Sequence, residues 1–172
     1  MKRVLVIGPS GAGKTTLATA LAEKTGLPLI HLDTEYWRPK WVPTLDEEWA
    51  PIVSDLVARD SWIIEGNFSS TFNLRMPRAD TIILVIRPRL HCLWRVFLRY
   101  LKYRGETRPD LANGCPEKFD PAFYKWIWDF PNRSLPRIDE VMATIGAHAS
   151  QITITSDTEA RAFLDTINPK TN

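Results

Sequence analysis

The sequence predicts an α/β fold in three layers, with about five parallel strands carrying helices on both faces. Two observations predict it. Short apolar runs rich in β-branched residues recur at 3–7, 28–33, 61–66, 80–86 and 151–155. Between them lie longer stretches with helical spacing of apolar residues, and strand–helix alternation of this kind builds a parallel sheet covered on both sides.

Taken in order, RVLVI at 3–7 ends in Gly-Pro and reads as a buried strand. The basic start and short apolar run of MKRVLVIG resemble the opening of a signal peptide. The run is only about five residues and a glycine-rich turn follows, so a first strand is the better reading. Residues 14–25 form a helix, with Leu17, Ala18, Leu21 and Ala22 as its apolar stripe and Gly26 as its C-cap. PLIHLD, 28–33, is a second strand. Thr44 stands three residues before Glu47, a capping-box pattern that starts a helix, and Pro51 should kink that helix or begin another. SWIIEG, 61–66, is a third strand. DTIILVI, 80–86, is the longest apolar run and is expected to be the central or most buried strand. Residues 89–103 form a basic amphipathic helix whose apolar side is Leu93, Val96, Phe97, Tyr100 and Leu101. Gly105, Pro109, Gly114 and Pro116 make 104–120 a loop. Helices follow at 121–130 and 134–145, separated by Pro131 and bent at Pro136. QITIT, 151–155, is the last strand and 157–167 the last helix.

A chain of 172 residues suits one domain, 1–172, with a sizeable core. A net charge of +2 is too small to support a nucleic-acid-binding surface. Cys92 and Cys115 form neither a CxxC pair nor a disulfide framework, which fits a reducing cytoplasm. No stretch approaches the ~20 apolar residues of a membrane helix. Seven tryptophans and thirteen prolines concentrate at 36–62 and 109–136, so these two regions read as irregular insertions in a regular scaffold.

Chemistry enters at GPSGAGKT, with spacing G-x-x-x-x-G-K-[ST]. Gly8, Pro9, Ser10, Gly11, Ala12 and Gly13 form a loop whose glycines let successive backbone N–H groups face one point. Lys14 reaches the β- and γ-phosphates of a nucleotide, Thr15 ligates Mg²⁺ through its hydroxyl, and Thr16 continues the helix start. A bare glycine-rich turn is the alternative, but the strand before and the helix after supply the context that nucleotide binding requires. The fold is therefore a P-loop NTPase fold, with ATP and Mg²⁺ as expected cofactors. The Asn-Lys-x-Asp element of switch GTPases is missing, the nearest stretch being Asn168-Pro-Lys. The apolar strand at 80–86 is followed by Arg87 and not by an aspartate, so Glu65, closing WIIEG, is the better acidic strand end.

GPSGAGKTT, HLDTEYW, WIIEGN, ADTIILVIRP, RVFLRYLKYRGETRP and ITITS together resemble the adenylate-kinase-like small P-loop kinases. More narrowly, LDTEYWRPKWVP, EGNFSSTFNLRMPRAD and RGETRPDLANGCPEK look like the bacterial proteins called DNA topology modulation proteins, or FlaR-like. The resemblance spans nearly the whole chain. It implies an acceptor-binding insertion at about 34–60 and an arginine-rich mobile lid at about 104–120. It implies that Lys14 and Thr15 hold phosphate and Mg²⁺. Asp33 would meet the acceptor or the magnesium. Arg95 and Arg99, with Arg104 and Arg108 in the lid, would clamp the transferring phosphoryl group. Ser156 and Asp157 would pass the adenine ring. Some adenylate kinases hold zinc in the lid with four cysteines; Cys115 stands alone here, so no zinc is expected.

Arg95 and Arg99, four residues apart, share a helix face, and phosphoryl transfer needs the charge and positioning that guanidinium groups supply. A solvated basic face is the alternative for any one of them. On the acceptor side, Tyr36, Trp37 and Arg38 sit just past a strand end, where a binding role and a small satellite core under a proline-rich loop are both open. Trp49 and Trp62 read as core. Glu65, Gly66, Asn67 and Arg75 fall at or after the third strand, where adenylate kinases carry Gly-Phe-Pro-Arg and this chain has Glu65-Gly66-Asn67-Phe68. Arg75 and Arg78 are the candidates for an acceptor anion, with pairing to an acid at the sheet edge as the alternative for Arg78. His31 reads as a core histidine in preference to an inward-facing base.

The expected function is Mg²⁺-dependent transfer of the ATP γ-phosphoryl to a small acceptor: a nucleotide, a nucleoside or another hydroxyl metabolite. A nucleotide-gated DNA-binding regulator, or a slow ATPase without an acceptor, is the alternative. A nucleic-acid partner is not favoured, a membrane is not expected, and the chain would act as a monomer or homodimer.

Overall fold

The computed structural model describes residues 1–167, so Asn168-Pro-Lys lies outside the described residues. Strand β1 (Arg3–Ile7) leads through the glycine loop into helix α1 (Lys14–Thr25). Gly26, at φ +68°, closes α1 by donating its N–H to the Ala22 carbonyl at 2.8 Å. Strand β2 (Leu29–His31) stops earlier than its apolar pattern suggests, because Leu32 opens a short helix, α2 (Leu32–Tyr36). A tight antiparallel hairpin follows, β3 (Trp37–Arg38) against β4 (Val42–Pro43).

Helix α3 runs Asp46–Ala58. The capping box is not formed: Thr44 turns its hydroxyl to the Tyr36 carbonyl at 2.6 Å, and its N–H goes to the same carbonyl at 2.9 Å. Thr44 thus closes the hairpin rather than starting the helix. Pro51 neither starts nor divides α3. It sits in the helix's second turn, where the helix runs on through it.

Strand β5 (Trp62–Glu65), helix α4 (Phe72–Arg75), strand β6 (Thr81–Val85) and helix α5 (Arg89–Tyr103) come next. Helix α6 (Pro121–Arg133) contains Pro131 and breaks only at Ser134. Pro136 falls in the first turn of α7 (Leu135–Ala143), where its missing N–H costs nothing. Strand β7 (Ser150–Ile154) and helix α8 (Asp157–Thr166) end the described chain.

The main sheet is parallel throughout, in the order β2-β5-β1-β6-β7. The central strand is β1, not β6, although β6 is buried at all five positions. Alternating side chains feed two cores. Leu5, Ile7, Ile64, Ile82 and Leu84 face α3, α4, α6 and α7, with Trp49 and Trp62 in the same core. Val4, Val6, Ile63, Ile83 and Val85 face α1, α5 and α8. On α5 the inward side is Cys92 and Val96; Phe97 and Leu101 point outward and are exposed.

Candidate nucleotide and phosphoryl-transfer site

The strand carboxyl ends meet in one cleft of about 1450 Å³, larger than an ordinary small-ligand pocket and roomy enough for two ligands. Ser10, Gly11, Gly13, Lys14, Thr15 and Thr16 line it. Gly8, Pro9 and Ala12 are buried behind this surface. Gly8 is forced to be glycine: at φ +139° an added Cβ would lie 2.0 Å from the Val85 carbonyl oxygen. Asn67 clamps the same residue. Its Oδ1 accepts from the Gly8 N–H at 3.0 Å and its Nδ2 donates to the Gly8 carbonyl at 2.7 Å. Asn67 also lines the cleft, as do Glu65 and Gly66.

Glu65 is the hub of the site. The ion pair to Lys14 Nζ spans 3.8 Å, Thr15 Oγ1 donates to its carboxylate at 3.2 Å, and His31 Nδ1 donates at 2.9 Å. Burial pushes the Glu65 carboxyl up, but the His31 hydrogen bond and the Lys14 charge outweigh it and hold the group below its ordinary range. The bond to Glu65, against the cost of burial, lifts His31 above 6.5. His31 is therefore neither a plain core histidine nor a base facing the cleft; it orients the carboxylate. Asp33, in α2 and not at a strand end, lines the cleft beside them. Burial and the Glu65 charge raise its carboxyl, opposed by Lys14 and Arg108.

Arginines roof the phosphate loop. An added Cβ on Gly13 would come within 3.2 Å of Arg95 Nη1. Arg95 Nη2 pairs with Asp157 at 2.7 Å, and the buried Arg87 holds the other oxygen of Asp157 at 3.0 Å. Arg99 Nη1 lies 3.3 Å from Ser10 Oγ, while its Nε and Nη2 donate to Glu117 Oε1 at 3.3 and 3.1 Å. Burial and the nearby Arg108 charge lower the Arg99 pKa from the usual guanidinium value. Arg108 pairs with Asp110 at 2.8 Å, and its Nε sits 2.8 Å from Glu117 Oε2, too far off line to form a hydrogen bond. Glu117 carried no signal in the sequence beyond being an acid in a loop.

The 104–120 segment is docked on the β3–β4 hairpin. Lys40 donates its N–H to the Gly114 carbonyl at 2.7 Å, Trp41 Nε1 donates to the Pro116 carbonyl at 2.9 Å, and the Cys115 thiol donates to the Arg38 carbonyl at 3.2 Å. Lys40 and Trp41 adopt φ of +66° and +61°, an uncommon conformation for residues with side chains, at the point of docking.

Several sequence expectations do not reach the cleft. Arg75 is wholly buried in α4. Its guanidinium donates to the carbonyls of Gly66, Asn67 and Phe68 and to Thr71 Oγ1, so it braces the loop after β5 from inside the core and does not line the cleft. Burial lowers its pKa to about 9, still protonated at neutral pH. Arg78 donates to the Val57 carbonyl and pairs with no acid among the described residues. Arg38 is exposed and pairs with Glu48, and Arg104 is exposed outside the cleft. Ser156 caps α8 through the Glu159 N–H, while Asp157 does line the cleft. Tyr36 is tied up in a small aromatic cluster with Trp37, Trp49 and Phe68. Of that group Trp37 and Phe68 reach the cleft, joined by Trp41. Arg133 and Arg137 also line it, with no carboxylate within ion-pair distance among the described residues; neither stood out in the sequence.

The family model of ATPases associated with various cellular activities (AAA) matches residues 4–64, from β1 through the glycine loop to β5. No curated protein matches the chain. Among solved structures, shikimate kinase from Acinetobacter baumannii in complex with shikimate is similar with a TM-score of 0.62 at 18% identity, over 97% of this chain and 90% of that one. A gluconokinase from Sinorhizobium meliloti 1021 is similar with a TM-score of 0.54 at 17% identity, over 95% and 91%. A sugar kinase from Janibacter sp. HTCC2649 gives 0.51 at 18%, over 96% and 91%. The chain thus has a P-loop kinase fold, and these structural neighbours are small-molecule kinases.

Proposed function

We propose that the protein is a kinase that moves the γ-phosphoryl of ATP to a hydroxyl of a small anionic metabolite. One observation carries this reading most: the glycine loop with Lys14, the acid Asp33, and Arg95, Arg99 and Arg108 all face the same cleft. The loop amides and Lys14 hold the phosphates. Thr15 and Glu65 offer converging hard oxygen donors, which fit Mg²⁺, and Glu65 rather than Asp33 is the carboxylate bonded to Thr15. When bound, the cation offsets charge on the β- and γ-phosphates.

Asp33 takes the acceptor's proton. A carboxyl raised above the ordinary value is a stronger base than free aspartate. The acceptor oxygen bonds to the γ-phosphorus, the bond to the β,γ-bridging oxygen breaks, and ADP leaves. Arg99 and Arg108 neutralise charge on the moving phosphoryl group. The 104–120 segment acts as the lid, resting on the hairpin to exclude water. Arg133 and Arg137, cationic and without an ion-pair partner among the described residues, suit an acceptor with a carboxylate or phosphate. The shikimate and gluconate named for two of the neighbours are hydroxy acids of this kind. The adenylate-kinase-like and FlaR-like resemblance rests on the sequence motifs, and a cytoplasmic monomer or homodimer fits that reading.

The test is ADP release from Mg·ATP, alone and with nucleoside monophosphates, nucleosides, sugars and hydroxy acids, with Lys14→Ala as control. Strong stimulation by one anionic acceptor, lost in the variant, is the expected result. A slow rate indifferent to every acceptor would sink the kinase reading in favour of an ATPase or a nucleotide-gated DNA-binding regulator. Salt-dependent DNA affinity would then separate those two.

A further inference from the structure

Glu117 is an acid set among the arginines that line the cleft. It is buried, with 6% of its side chain exposed, and stands between two arginines of the roof. Its placement comes from the 104–120 segment itself. The Glu117 N–H donates to the Glu106 carbonyl at 2.9 Å and the Gly105 N–H donates back to the Glu117 carbonyl at 3.3 Å, so two short backbone bonds fix the residue across the loop.

The two arginines keep different donors free. Glu117 Oε1 takes Nε and Nη2 of Arg99, and the remaining Nη1 is the one that approaches Ser10 of the phosphate loop. Arg108 gives Nη1 to Asp110 and sets Nε against Glu117 Oε2. A guanidinium has five N–H donors in a rigid planar fork, so holding one edge fixes where the other points. A single carboxylate therefore ties α5, through Arg99, to the 104–120 segment, through Arg108, and leaves the free edge of Arg99 toward Ser10 of the glycine loop.

We propose that Glu117 is a positioning residue, which orients Arg99 and Arg108 over the phosphate loop without itself touching nucleotide. This rests on the kinase reading for its catalytic consequence, but not for its geometry. Misaimed arginines fail most when charge is moving, so the effect belongs in kcat more than in KM.

Two measurements test it in the full chain. The first reads geometry alone: the arginine Nε–H signals in an ¹⁵N-correlated NMR spectrum. A slowly exchanging signal from Arg99, whose Nε donates to Glu117, is expected in the unaltered protein and is lost in Glu117→Gln. If the Arg99 signal is unprotected in the unaltered protein, or persists in the variant, the proposal is wrong. This arm holds even if no phosphoryl transfer is found, a result that would count against the kinase reading alone. The second reads turnover, with the best acceptor. Glu117→Gln should lower kcat at least tenfold and change KM for Mg·ATP less than threefold, with its melting temperature near that of the unaltered chain. In an Arg99→Ala/Arg108→Ala background, Glu117→Gln should lower kcat no further. A full tenfold loss persisting in that background would overturn the proposal, as would an effect on KM alone. Should the Gln variant not fold, Glu117→Asp, with its shorter reach, is measured for the same outcomes.

Discussion

At the scale of single residues, the site depends on groups that grip the backbone as much as on groups that face the cleft. Asn67 is the clearest case. Its amide satisfies both the donor and the acceptor of Gly8, so it holds the start of the glycine loop in place. Asn67→Ala removes both bonds and should cost about 1–3 kcal/mol of stability. It should also weaken binding of a fluorescent ATP analogue, which an equilibrium titration reads. Arg75 shows the same principle from inside. A buried cation without a carboxylate survives because three carbonyls and a hydroxyl surround it. Arg75→Met leaves those acceptors unpaired, and denaturant unfolding should show a loss of about 3 kcal/mol or more. Nothing in the sequence separated Arg75 from a ligand-facing arginine. Burial decides between the two roles, and burial belongs to the packing of α4.

At the scale of elements, strand order is held by side chains as well as by ladder bonds. Asp80, at the start of β6, accepts the N–H groups of Lys2 and Arg3 at 2.8 and 2.9 Å, beside the start of β1, and a bond from the Thr81 hydroxyl at 2.8 Å. Burial is the largest single influence and raises its carboxyl, but the three bonds and the N-terminal charge together outweigh it and hold the group below 3.8. A depressed carboxylate stabilises the fold above its unfolded pKa, and that contribution disappears as pH falls through the folded pKa. Asp80→Ala should therefore lower the melting temperature at pH 7, and the gap from the unaltered chain should narrow by pH 3. The hairpin and the 104–120 segment couple in a similar way, through the backbone of Lys40 and the indole of Trp41. The capping-box pattern at Thr44 was misleading for this reason. A threonine hydroxyl bonds whichever backbone group lies nearest, and the hairpin brought the Tyr36 carbonyl closer than the helix start.

At the scale of the whole molecule, one cleft gathers residues from every labelled helix but α3 and from the end of β5, so occupancy should stabilise the entire fold. Mg·ATP at a hundredfold excess over its Kd should add about 2.7 kcal/mol. In a chain of this length that raises the melting temperature by roughly 5–10 °C. A calorimetric scan should show this rise and find it missing in Lys14→Ala. By itself the sequence determined the strand–helix alternation, the parallel sheet and the glycine loop. Those signals are local: periodicity records which face is buried, and the loop's glycines record conformations only glycine adopts cheaply. Only the tertiary structure decided that β1 is central, that Arg75 is internal while Arg99 faces the loop, and that His31 and Glu117 orient other side chains. These outcomes depend on contacts between residues far apart in the chain, such as Glu65 with His31 and Asn67 with Gly8. A hydrogen bond or ion pair of that range leaves no periodic trace in the sequence, because its partners are chosen by the packing of the sheet and not by their spacing.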